Sequence, residues 1–155
     1  MTPPSLDDDL QDAVLAALGT EHAAIWCYGL VSAYLPTVSA ADLAATAQAH
    51  RERRDAVVAL LARRGVTAPP AAAAYRPPSP VTDATSAATL AIVAEDDVAA
   101  AWRAVAERTS ADEDAELRHL ALDAVTAATT TSVVWRRVAG RSPLVPAFPG
   151  AGAGA

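Results

Sequence analysis

The chain contains neither lysine nor asparagine and has a single cysteine, Cys27, which excludes an internal disulfide. The position of Cys27 on a predicted helix indicates a buried, unreactive thiol rather than a nucleophile. All 12 basic residues are arginine. Together with the abundant alanine, this composition is typical of a GC-rich bacterial genome.

The sequence also lacks long hydrophobic runs and an excess of positive charge. No uninterrupted apolar run reaches the roughly 18 residues of a membrane span, and the N-terminal region is acidic, which predicts a cytoplasmic protein with no membrane partner. A formal net charge of -6 disfavours nucleic acid as a partner. The one basic cluster, residues 50–54, fits a solvated helix face better than a nucleic-acid site. Neither a glycine-rich phosphate loop nor a nucleophile with a matching base is found.

What the sequence has in abundance is helical periodicity. Of its 155 residues, 52% are hydrophobic, which predicts a folded domain with a substantial core. The apolar residues recur at spacings of three and four, and this spacing places them on one face of a helix. We predict amphipathic helices over about residues 7–33, 39–64, 83–107 and 111–139.

The connections between these helices predict their arrangement. The break at residues 35–37 and the turn at residues 109–112 each predict a helical hairpin. The proline-rich segment 65–82 can extend roughly 55 to 60 Å, whereas a helix of about 26 residues is roughly 39 Å long. It is therefore long enough to run the length of a bundle. The prediction is an all-α, antiparallel four-helix bundle over residues 1–140, in which a long crossover joins two hairpins.

Each predicted helix carries one ionisable residue near its middle, on or beside the face expected to be buried. Measured from the two hairpin turns, these residues lie at similar depths, so they can meet in one layer of the bundle. A buried charge costs several kcal/mol unless it is paired, hydrogen-bonded or bound to metal. We therefore predict a buried polar centre, which also takes in one tyrosine and one arginine on the same faces. Its predicted members are Glu21, Tyr28, His50, Arg54, Glu95 and Asp123.

Besides a complete di-metal centre, two interpretations of this polar centre remain open. In the first, Arg54 supplies the positive charge, the centre is an ion-pair network, and no cofactor is needed. In the second, Glu21, His50, Glu95 and Asp123 bind one iron, manganese or zinc ion.

Residues 141–155 form a separate region. Leu144, Val145 and Phe148 lie among prolines and predict an extended apolar strip, and the following Gly/Ala residues predict a flexible tail. Burying such side chains is worth roughly 1.5 to 3 kcal/mol each. We therefore expect the strip to pack in a groove of its own bundle or of a second copy in a homodimer.

Several short strings resemble an uncharacterised actinobacterial family of ferritin-like domains. The resemblance covers nearly the whole chain, and it implies a ferritin-like fold without an established activity. The strings are Glu21-His22-Ala23-Ala24, Tyr28-Gly29, His50-Arg51-x-Arg53-Arg54-Asp55, Tyr75-Arg76-Pro77-Pro78, Trp102-Arg103, Trp135-Arg136 and Pro146-Ala147-Phe148-Pro149-Gly150.

Compared with di-iron ferritin-like proteins, this chain has an incomplete ligand set. Those proteins use one Glu from each of two helices and a Glu-x-x-His pair from each of the other two. Glu21 and Glu95 match the single glutamates, and His50 matches one histidine. However, Ala47 and Leu120 stand where the paired glutamates belong.

This degenerate metal site implies a non-catalytic bundle that binds a partner or a small ligand. The alternative is a metal-dependent oxidoreductase with a single-metal site, so the sequence leaves open whether the protein is an enzyme.

Overall fold

Four α-helices make up most of the computed structural model, which describes residues 5–35, 40–110 and 114–151. They are α1 (Asp8–Ser32), α2 (Ala40–Arg63), α3 (Ala84–Arg108) and α4 (Ala115–Val138). Within these described ranges there is no strand. The all-α prediction is therefore confirmed, while parts of both predicted turns, residues 36–39 and 111–113, lie outside the described ranges.

Side-chain caps determine where two of the helices begin. The carboxylate of Asp7 accepts a hydrogen bond from the backbone N–H of Leu10 at 2.8 Å. At the start of α3, Asp83 and Ser86 each bond to the other's backbone N–H and form a capping box. These contacts satisfy donors that have no partner inside the helix. The start of α4 differs from the prediction of about residue 111, because the helix begins at Ala115.

A glycine ends α2. The backbone N–H of Val66 donates to Leu61 at 2.9 Å, and that of Gly65 donates to Ala62 at 3.1 Å. This Schellman pattern needs a residue with positive φ, and Gly65 has φ 76°. Gly140, with φ 63°, ends α4 in the same way.

The helices pack against one another unevenly. α1 lies against both α2 and α3, α3 also lies against α4, and α2 makes only limited contact with α4. One such contact is an ion pair of 2.6 Å between Arg63 at the end of α2 and Glu116 in the first turn of α4. Large fully buried side chains from all four helices form the core: Leu10, Leu18, Leu60, Leu61, Trp102 and Leu117.

The buried face of α4 is rotated relative to the apolar stripe that the sequence predicts. The spacing of three and four along residues 111–139 predicts that Ala127, Val134 and Val138 lie on the buried face, but all three are exposed in the structure. Helix α4 packs mainly against α3, and its contact with α2 is limited. The buried residues of α4 are Leu117, Ala121, Ala124, Ala128, Ser132 and Trp135.

The segment between α2 and α3 lies beside α1. The rings of Tyr75 in this segment and Trp26 in α1 are 6.0 Å apart.

Helix α1 itself is long and apolar enough to cross a membrane by length and composition, a criterion that the core helix of a soluble protein also meets.

The C-terminal strip does not bury its side chains as expected. Leu144 is 37% exposed, Val145 is 55% exposed and Phe148 is 67% exposed. One contact with α3 is made by the backbone of the strip, where the guanidinium of Arg103 donates to the carbonyl of Pro149 at 3.5 Å. A Cβ added to Gly150 would lie 2.8 Å from the Ala99 carbonyl oxygen, so this close approach requires glycine. The expected packing of the strip on its own bundle is therefore wrong for these three side chains.

Two glycine substitutions should have opposite effects on stability. Gly65→Ala should destabilise the fold by about 1 kcal/mol, because alanine is strained at positive φ. Gly19→Ala, inside α1 with no atom near the added methyl group, should stabilise the fold by roughly 0.5 to 1 kcal/mol. Urea unfolding of the two variants checks this. Equal shifts of the same sign would contradict the assigned backbone conformation at Gly65.

Candidate functional site

A polar centre lies between α1, α2 and α3 and is sealed from solvent. Glu21 and His50 are 0% exposed, and Glu95 is 1% exposed. The Nδ1 atom of His50 lies 2.7 Å from Oε2 of Glu21, and its Nε2 atom lies 3.2 Å from Oε1 of Glu95. The Tyr28 hydroxyl donates a short hydrogen bond to the same Glu95 oxygen. The imidazole thus bridges two buried carboxylates.

Two tryptophans complete the hydrogen bonding of this centre. The indole N–H of Trp102 donates to Oε1 of Glu21 at 2.7 Å, and that of Trp135 donates to the Tyr28 hydroxyl at 2.8 Å. Trp135 makes α4 part of the site. The sequence contained one indication that Trp102 belongs to the polar centre. Trp102 lies two turns after Glu95 on the same face of α3, and a buried indole N–H requires a hydrogen-bond acceptor.

The arginine in the centre is Arg53, not the predicted Arg54. The Nε–H of Arg53 donates to Oε1 of Glu21 at 2.8 Å. Arg54 instead bonds to Asp55 at 2.8 Å, and its side chain is 30% exposed. Positions three and four residues after His50 lie on opposite sides of it along the helix face. Arg53 lies on the side of α2 that faces Glu21 of α1. The spacing in the sequence alone did not distinguish Arg53 from Arg54.

Asp123, the member predicted on the fourth helix, is exposed and lies outside the centre. The rotation of α4 that buries Ala124 turns Asp123 towards solvent. The polar link between α3 and α4 is made elsewhere, where Asp96 accepts from Ser132 at 2.8 Å and pairs with Arg136 at 2.6 Å.

The contacts of His50 indicate that it is protonated on both nitrogens. Burial by itself would lower the pKa of His50, but hydrogen bonds to Glu21 and Glu95 raise it above the ordinary value of 6.5. Nη2 of Arg53 also lies 2.8 Å from Nδ1 of His50. That contact is a hydrogen bond only if Nδ1 lacks a proton. We assign the Nδ1 proton to the hydrogen bond with Glu21, because an ionised carboxylate can only accept a hydrogen bond, so each ring nitrogen of His50 must be the donor.

The charges of the centre are balanced. Burial by itself would raise the pKa of Glu21, but the hydrogen bond from His50 and the charge of Arg53 lower it below the ordinary value of 4.5. Burial and the charge of Glu95 raise the pKa of Tyr28, which stays a neutral donor. The cations of His50 and Arg53 thus face the carboxylates of Glu21 and Glu95, and such pairing offsets the cost of burying each charge.

The side chains as arranged do not fit a metal ion. Both nitrogens of His50 are engaged by carboxylates, which leaves no lone pair for a metal. Oε1 of Glu21 is taken by Arg53 and Trp102, and Oε2 by His50. Across the described ranges, no three His, Cys, Asp or Glu side chains are grouped so that they could hold a metal ion.

Comparison with known proteins identifies the family of this four-helix protein. The chain belongs to the family described as a domain of unknown function, DUF4439, whose profile matches residues 13–153. It is similar to the crystal structure of a conserved hypothetical protein, rv2844, from Mycobacterium tuberculosis, with 42% sequence identity and a TM-score of 0.80. That match covers 86% of this chain and 99% of the mycobacterial one. No curated protein matches this chain. The resemblance to an uncharacterised family with an actinobacterial member is thereby confirmed.

The stability of the protein should depend on pH through this centre. The raised pKa of His50 contributes stability that is complete below pH 6.5 and is lost as the pH rises through the pKa of the folded state. The lowered pKa of Glu21 contributes stability that is complete above pH 4.5 and is lost as the pH falls through its folded pKa. Both contributions are therefore complete between these two values.

We expect the free energy of unfolding to fall more steeply for wild type than for His50→Gln between about pH 5.5 and about pH 8.5. Urea unfolding at the two pH values measures this difference, in which the effects of other titrating groups cancel. Parallel pH profiles would show that His50 is not charged in the folded protein.

Proposed function

We propose that this protein is a ferritin-like bundle that acts by binding a ligand or partner and has no catalytic metal. The observation that carries the proposal is Arg53, whose guanidinium donates to Glu21 at 2.8 Å inside the polar centre. Its fixed positive charge supplies what a metal ion would otherwise supply to these carboxylates. The centre then serves as a permanent connection between the helices.

Contacts at the helix ends support the antiparallel arrangement and the crossover. The end of α2 meets the start of α4 through Arg63 and Glu116. The acidic start of α1, residues 7–9, lies beside Arg108 at the end of α3. In such an arrangement α3 runs opposite to α1, and the segment between α2 and α3 returns along the bundle, as in ferritin-like folds.

The competing hypothesis is an oxidoreductase with one iron, manganese or zinc ion bound by Glu21, His50 and Glu95. For this to occur, His50 would have to lose a proton and Arg53 would have to withdraw. Ala47, one turn before His50, offers only a methyl group where the paired glutamate of di-iron proteins stands.

The location and the partners of the protein are part of the same proposal. We favour a cytoplasmic protein, since the buried face of α1 packs against α2 and α3. The exposed Leu144, Val145 and Phe148 favour contact with a second copy of the chain.

Metal analysis separates the two hypotheses. Protein purified aerobically without chelator should contain well below one equivalent of iron, manganese or zinc per chain, and it should show no ferroxidase activity. Inductively coupled plasma mass spectrometry measures the content. About one tightly held metal per chain, lost together with thermal stability on treatment with a chelator, would favour the oxidoreductase instead.

Two neighbouring arginines provide a matched test of the ion-pair network. Arg53→Ala should cost roughly 3 kcal/mol, because it leaves buried negative charge uncompensated and the arginine side chain is only 13% exposed. Arg54→Ala removes a partly exposed pair with Asp55 and should cost less than about 1 kcal/mol. Chemical unfolding in metal-free buffer measures both variants.

A double variant separates a lost network from a general packing defect. Glu21→Gln combined with Arg53→Met removes charge of both signs, so it should recover part of the loss caused by Arg53→Ala. Equal costs for Arg53→Ala and Arg54→Ala would count against the network.

A further inference from the structure

A cleft of about 530 Å³ lies between the second half of α1 and the first half of α2. Small and apolar side chains, among them Leu43, Ala44 and Ala47, line much of it, together with Gly29 and Tyr28. This volume is in the range of small-molecule sites. The Tyr28 hydroxyl bonds to Glu95 and Trp135, so the part of the wall that it forms is held rigidly by the polar centre.

Helices α2 and α4 make little contact with each other. Residues 116 and 134 are separated by 18 positions, which is five turns of a helix with 3.6 residues per turn. Val134 therefore points in the same direction as Glu116, which meets Arg63 of α2. Yet Val134 is 49% exposed and Val138 is 43% exposed. An uncovered apolar flank of α4 thus faces the side on which α2 lies.

Arg51 lines this cleft. Arg53 pairs with Glu21 and Arg54 pairs with Asp55, whereas no hydrogen bond or ion pair of Arg51 is found within the part of the chain that the structure describes. The neighbouring Gln48 is engaged with Glu52 at 3.1 Å. Among the described residues, the cleft therefore combines apolar walls with one positive charge that has no ion-pair partner.

We infer that the cleft binds a small amphipathic carboxylate, with its head group on Arg51 and its aliphatic chain along Leu43 and Ala47. The planar fork of an arginine matches a carboxylate with two parallel hydrogen bonds, and a single arginine matches a single negative charge. The apolar walls favour an aliphatic body over a sugar or a nucleotide. This inference rests on the proposed binding function and adds the class of ligand to it.

Calorimetric titration with three probes tests the inference: decanoate, decanol and acetate. Wild-type protein should bind one decanoate per chain, decanol roughly tenfold more weakly, and acetate not measurably. The comparison separates the contribution of the charged head from that of the chain.

Three variants locate the site. Arg51→Gln should weaken decanoate binding roughly tenfold and leave decanol binding unchanged. Ala44→Leu, at an exposed position, fills the cleft and should weaken both ligands. Arg137→Gln removes an exposed arginine of α4 that does not line the cleft, and it should bind like wild type.

The inference is overturned if wild type does not bind decanoate, if Arg51→Gln and Arg137→Gln bind it equally, or if binding does not saturate near one per chain. It is also overturned if light scattering shows a dimer that Ala44→Leu dissociates, since a second copy then occupies the cleft. None of these results depends on the metal content or on the Arg53 variants, so the binding proposal and the ligand class can fail separately.

Discussion

The contact between Glu21 and His50 is the interaction on which the interior of this protein depends. Two charged groups that are 0% exposed lie 2.7 Å apart, and neither is tolerable in the core without the other. Each residue also has further partners. Glu21 accepts hydrogen bonds from Arg53 and Trp102, and His50 contacts Glu95. One carboxylate therefore ties together α1, α2 and α3, and it restricts how these helices can slide or rotate relative to one another.

The bonds of Tyr28 extend this constraint to α4. Its hydroxyl donates to Glu95 and accepts from the indole of Trp135, which uses its capacity as both donor and acceptor. Among the described residues, only His22 and Thr129 have a buried side-chain polar atom without a hydrogen-bond partner, and neither belongs to the centre. A fully satisfied polar network adds orientation that apolar packing alone does not impose, because its bonds fail when the geometry changes.

Three arginines of one short string have three different environments. Arg53 enters the polar centre, Arg54 pairs with exposed Asp55, and Arg51 stands at the cleft. Successive residues of a helix point about 100° apart, so neighbours of identical chemistry meet different surroundings. The same string therefore supplies a buried structural charge, a partly exposed paired charge and the charge on which the proposed carboxylate site depends.

The sequence by itself determined the features that depend on local periodicity. Four helices follow from apolar spacing, and the end of α2 follows from Gly65. Glu21 and His50 could be placed on buried faces because each lies within an apolar stripe of its own helix. The common depth of Glu21, His50 and Glu95 also followed from counting residues back to the turns.

Only the tertiary structure decided which flank of each helix meets which neighbour. The apolar face of an amphipathic helix is broad, so it defines the orientation of the helix only approximately. The sequence was therefore equally compatible with Arg53 or Arg54 in the polar centre. Helix α4 is oriented so that Asp123 is exposed and the indole of Trp135 donates to the Tyr28 hydroxyl. The physical reason is that helical periodicity is a property of one segment, whereas the rotation of a helix about its axis depends on the surfaces of the others.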